Sequence, residues 1–125
     1  MGLPEYMAVC SMGYNRSPTC AEKFREMAKE DRGLDIEVGF MGLDIEESEL
    51  GETHTRTVLN NVKIIFAMDE RLKSKVVHKY HIRESRVVNL DISDDYDIHG
   101  IAGPQLKRML EKILEEKLRP YVDVL

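Results

Sequence analysis

The chain has no surplus of basic residues, no long apolar run and only two cysteines. With 18 Lys and Arg against 23 Asp and Glu, its formal charge is −5. A general nucleic-acid binder needs a basic surface to meet phosphate backbones, so that class is set aside. A small basic pocket for one phosphate is not. No apolar stretch reaches the length of a membrane span, and no membrane association is expected. The N-terminus lacks a basic region followed by a long apolar stretch, so no signal peptide is expected. Two cysteines with no pairing pattern and no export signal point to a reducing, cytoplasmic setting. Linkers, internal repeats and low-complexity tracts are also missing. One domain over residues 1–125 is therefore expected, with 42% hydrophobic residues to build its core.

What is present is an alternation of strand-like and helix-like segments. YMAVC (6–10) reads as a short buried strand. SPTCAEKFREMAKEDRG (17–33) reads as a helix capped by Ser17, opened by Pro18 and ended by Gly33. Its apolar positions Cys20, Phe24, Met27 and Ala28 recur at helical spacing. DIEVGFM (35–41) reads as a second strand, and a polar helix is placed at 53–60. VKIIFAM (62–68) is the clearest buried strand. DERLKSKVVHKYH (69–81) is a helix with Leu72, Val76 and Tyr80 on one face. RVVNLDI (86–92) is a strand, 93–103 a loop, and 104–118 an amphipathic helix. The stripe of that last helix is Leu106, Met109, Leu110, Ile113 and Leu114. The strands are continuous apolar runs, as expected when both faces are covered. The reading is α/β: a four-stranded parallel sheet with helices on both faces, a three-layer sandwich. Ligands of such sheets bind beyond the carboxyl ends of the strands. Cys10, Asp69 and Asp91 to Asp95 all follow strands there.

The stretch from Cys10 to Ser17 runs C-S-M-G-Y-N-R-S. It joins the end of a strand to the start of a helix. If this loop curls, its backbone N–H groups converge, and the helix N-terminus adds partial positive charge. Such a nest binds a phosphate-like oxyanion. Ser11, Met12, Gly13, Tyr14, Asn15, Arg16 and Ser17 are therefore the expected substrate-binding residues. Gly13 permits a tight turn, and Asn15 tolerates left-handed backbone angles. Arg16 supplies a planar fork for two phosphate oxygens. The same field favours a thiolate at Cys10, steadied by the Ser17 hydroxyl, and so a nucleophile aimed at phosphorus. The leaving oxygen then needs a proton, which a rim carboxylic acid can supply.

At these residues the chain resembles the low-molecular-weight protein tyrosine phosphatase superfamily, which carries C-x5-R-S-P-like loops after its first strand. SDDYD (93–97) resembles that family's acid loop, with Asp94 at the acid position and Tyr96 at the aromatic one. Asp95 stands where the family usually has proline. VCSMGYNRS, IIFAMDERL and VVNLDISDD resemble more closely the branch that removes phosphoserine from the RNA polymerase II C-terminal tail. The chain lacks that branch's long middle insertion, which points to a compact prokaryotic or archaeal relative. The resemblance implies strand order 2-1-3-4. It implies a protein phosphatase acting on phosphotyrosine or phosphoserine/threonine, without metal or other cofactor, as a monomer. Cys10 would be the nucleophile, Arg16 the phosphate clamp and Asp94 the general acid and then base. Two other functions share this architecture. A phosphoryl carrier of the phosphotransferase IIB type lacks the arginine that Arg16 supplies. An arsenate reductase needs further cysteines, and none follows Cys20.

Several residues keep two readings. Cys20 is a redox partner of Cys10 or a core residue. Asp91 is an accessory site residue or the end of a strand. Asp95 is an alternative acid. Tyr14 and Tyr96 line the entrance or stand exposed. His99 touches substrate or is a solvated loop histidine. His78 and His81 lack a third ligand at metal spacing, so no zinc site is expected. Arg71, Lys73, Lys75, Lys79, Arg83 and Arg86 form a basic stretch, read by default as a solvated helix face and otherwise as an attractor of acidic phosphopeptides.

Overall fold

A computed structural model describes residues 4–11, 16–44, 51–93 and 103–125. Within 51–53 and at 103 and 106 only the backbone is described. Four strands are present: β1 (Tyr6–Cys10), β2 (Val38–Gly42), β3 (Ile64–Ala67) and β4 (Val87–Asn89). Among the described residues the α-helices that accompany them are α1 (Arg16–Arg32), α2 (Gly51–Asn60), α3 (Glu70–His78) and α4 (Gly103–Asp123).

All the strand pairs are parallel and the order is β2-β1-β3-β4, as the resemblance implies. The chain moves one way from β1 to β2 and the other way from β1 to β3 and β4. Right-handed crossovers then put α1 on one face and α2 and α3 on the other. The strand order reverses beside β1, so the crevice of the sheet opens at its carboxyl end. Cys10 is that end, opposite Gly42 of β2.

The core explains the elements. Four of the five residues of β1 are buried, so it has no solvent face. A chain of edge-to-face rings runs from Tyr6 through Phe24 to Phe66 and Tyr121, with centroids 5.2, 4.9 and 5.5 Å apart. It ties β1, α1, β3 and α4 together, and α1 lies along α4. Gly33 ends α1 at φ +65, where glycine has no Cβ to clash. Among the described residues no helix is long and apolar enough to cross a membrane.

Four expectations shift. First, α1 begins at Arg16, so Ser17 is inside its first turn rather than capping it. Second, α4 continues past 118 through Pro120 to Asp123. Its buried row is Leu110, Leu114, Leu118 and Val122, one residue per turn. Burying the last two offsets the backbone hydrogen bond that Pro120 removes, a loss of about 3 kcal/mol. Third, Met109 is 41% exposed and lies off the stripe. Fourth, Arg86 is not on a helix face. It is the last residue of a single 3-10 turn, and its Nη2 donates to the carbonyls of Leu59, Asn60 and Val62 at and just beyond the end of α2. A cation there meets the negative end of the helix.

Candidate active site

Cys10 is fully buried at the carboxyl end of β1. Its Sγ lies 3.0 Å from Ser17 Oγ. Placing Ser17 inside the first turn of α1 is what turns its hydroxyl back toward the strand end. The same hydroxyl lies 3.5 Å from the Met41 carbonyl. It has one proton, and a thiolate at Cys10 would take it.

Arg16 is also fully buried, which is costly for a cation unless it is held. It is held from two sides. Its Nη1 donates to Asp69 Oδ2 at 2.8 Å and to the Ile92 carbonyl at 2.8 Å. Asp69 is the N-cap of α3, and its Oδ1 accepts the Leu72 N–H at 3.0 Å. One carboxylate thus starts α3 and anchors the guanidinium. The Ile92 carbonyl is aimed by a local distortion. Leu90 and Ile92 donate to the carbonyls of Ala67 and Met68, extending the β3–β4 pairing. Between them Asp91 takes φ +54, with its N–H donating to Asn89 Oδ1 at 2.8 Å. The Asp91 side chain is exposed, so its contribution here comes from its backbone.

Ser11, the residue after Cys10, is tied on its outer side. Its carbonyl accepts the Asp44 N–H at 3.0 Å, and its Oγ accepts Arg71 Nη2 at 2.6 Å. Asp44 also meets Arg71 Nη2 at 3.5 Å and Lys75 Nζ at 2.9 Å. Cys20 is buried in the core with Phe24 and Met27. Burial pushes its thiol well up, and Cys10 adds to the shift. That agrees with the core reading of Cys20.

The structure therefore brings together Cys10, Ser11, Arg16 and Ser17. Met12, Gly13, Tyr14, Asn15, Asp94, Asp95, Tyr96 and His99 lie outside the described residues. Sequence reasoning put Asp69 on the rim without a role. An aspartate between a buried strand and an amphipathic helix was the available signal. Asp44 and the carbonyl of Ile92 were missed, having no local signature. Two members of the basic stretch, Arg71 and Lys75, face the loop region through Ser11 and Asp44.

This fold is that of the low-molecular-weight protein tyrosine phosphatases. Wzb of Vibrio vulnificus, solved with benzylphosphonate, superposes with a TM-score of 0.72 at 12% identity, over 99% of this chain and 100% of that one. A low-molecular-weight protein tyrosine phosphatase from Bacillus subtilis gives 0.60 at 17% identity, over 92% and 97% of the two chains. The YwlE arginine phosphatase of Geobacillus stearothermophilus gives 0.63 at 17% identity, over 96% and 91%. No protein-family model matches the chain, and no curated protein matches it. The expected kinship with the polymerase-tail serine phosphatases finds no support in these structures, of which the second is named a tyrosine phosphatase and the third an arginine phosphatase.

Proposed function

We propose that the chain is a cysteine-dependent phosphatase that works through a phosphocysteine on Cys10. The observation that carries this reading is the pairing of two buried groups on one strand–loop–helix unit. Cys10 Sγ sits 3.0 Å from a hydroxyl, and Arg16 is clamped by Asp69 and Ile92 at 2.8 Å each. A thiolate with a fixed guanidinium close in the chain suits phosphoryl transfer to sulfur, because the cation offsets charge on the phosphoryl oxygens.

The Cys10 thiolate attacks phosphorus and the P–O bond to the leaving group breaks. Asp94, as an acid, protonates the departing oxygen. Asp94 as a carboxylate then takes a proton from water, the oxygen attacks phosphorus, and the P–S bond breaks. Inorganic phosphate leaves and the thiolate is restored. Arg16 and the amides of loop 10–17 hold the equatorial oxygens throughout. The Ser17 hydroxyl donates to the sulfur and stabilises it as nucleophile and as leaving group.

The substrate class is a phosphorylated protein or peptide. Tyrosine and arginine phosphates enter through the named activities of the similar structures. A reducing cytoplasm suits a thiol nucleophile. The test is turnover of p-nitrophenyl phosphate. Cys10→Ser is expected to lose hydrolysis while still binding phosphate or vanadate. Asp94→Asn is expected to slow poor leaving groups most. Cys10→Ser turning over as fast as the parent sinks the reading, and a phosphocysteine that resists water turns it toward a carrier.

A further inference from the structure

We propose that Arg71 is a specificity-determining residue, its guanidinium pairing with an acidic side chain next to the phosphorylated residue of a protein substrate. This rests on the phosphatase reading above. Arg71 lies in the first turn of α3, two residues after the Asp69 that holds Arg16. It therefore stands on the same rim as Cys10. Its Nη2 is pinned to Ser11 Oγ at 2.6 Å, one residue from the nucleophile, yet the side chain is 57% exposed. A guanidinium held by one nitrogen keeps further N–H donors for a second partner.

Arg71 shares its carboxylate with a second cation. Asp44 is the carboxylate that Arg71 meets, at 3.5 Å. Lys75 meets the same carboxylate at 2.9 Å and is only 17% exposed. Among the described residues both cations approach this carboxylate, and the lysine is the closer and more buried of the two. Arg71 is the more exposed of the two cations and the more weakly engaged by Asp44. Glu70 is turned the other way, to Asn89 Nδ2 at 3.1 Å. A merely solvated helix face would not require the bond to Ser11. An arginine fixed there meets a peptide carboxylate with little further loss of side-chain freedom.

The experiment uses the full chain and paired phosphopeptides, tyrosine and serine series run side by side. Each pair differs only in Glu or Gln beside the phosphorylated residue. Because Arg71 also touches loop residue Ser11, the readout is the ratio of kcat/KM within a pair, which cancels changes common to both peptides. The parent is expected to favour Glu by about three- to fivefold, the upper range for an exposed ion pair. The preference is expected in KM and to shrink with added salt. Arg71→Gln is expected to bring the ratio to unity, and Arg71→Lys to keep part of it. A ratio that Arg71→Gln leaves unchanged, or a parent without preference that still hydrolyses p-nitrophenyl phosphate, overturns this proposal alone. A parent inert toward p-nitrophenyl phosphate and every peptide overturns the phosphatase reading and this one with it.

Discussion

Asp69 and Arg16 form an ion pair whose cation is wholly buried and whose anion is a quarter exposed, 2.8 Å apart. The two residues are 53 positions apart, on different strand–helix units. Without Asp69, Arg16 would be a buried cation deprived of this carboxylate. Breaking such a pair from one side costs about 3–5 kcal/mol. Asp69→Ala is expected to lose roughly that much in urea denaturation and to lose phosphate binding as Arg16 shifts. Asp69→Asn separates the two roles. Asparagine caps a helix as well as aspartate does, so α3 keeps its start. Stability then recovers in part, while vanadate affinity stays low.

Asp91 makes a backbone prediction. At φ +54 glycine is at ease, aspartate tolerable and a β-branched residue strained. Asp91→Gly is expected to stay within about 0.5 kcal/mol of the parent, and Asp91→Val to cost about 1–2 kcal/mol. Chemical denaturation reads both. The valine variant also displaces the Ile92 carbonyl from Arg16, so its loss of activity exceeds its loss of stability.

Cys20 makes a pH prediction. Its thiol is pushed up in the folded chain, first by burial and then by Cys10, from an ordinary value of 9.0. A raised folded value means that the unfolded chain releases the proton first. The contribution is whole below about pH 9 and falls as pH rises beyond it, by about 1.4 kcal/mol per unit. Cys20→Ala has no such proton to release. Its stability is expected to decline less steeply than the parent's between about pH 8 and about pH 10. Parallel slopes for the two chains would contradict the burial argument.

Much of the fold was legible because it is written locally. VKIIFAM and YMAVC are apolar on both faces, which identifies interior parallel strands before any coordinate is seen. The meeting of Cys10 and Ser17 was legible for the same reason, since the two stand seven residues apart on one strand–helix connection. Helix limits were less so. Ser17 reads both as a cap and as a partner of the Cys10 sulfur, and only the second holds because α1 begins one residue earlier; Met109 fits the stripe of α4 by spacing although the helix is rolled away from it. Arg86 reads as one more surface cation because its partners lie at the end of another helix.

By itself the sequence determined the alternation of strands and helices, the buried first strand, and the placing of Cys10 and Arg16 at the two ends of one loop. Only the tertiary structure decided which carboxylate holds Arg16, which carbonyl completes the clamp and which arginine reaches Ser11. Those partners come from 53, 76 and 60 residues away. Side-chain periodicity reports which face of an element is apolar. It carries no record of which rim residues meet once strand order and crossover direction have folded the chain.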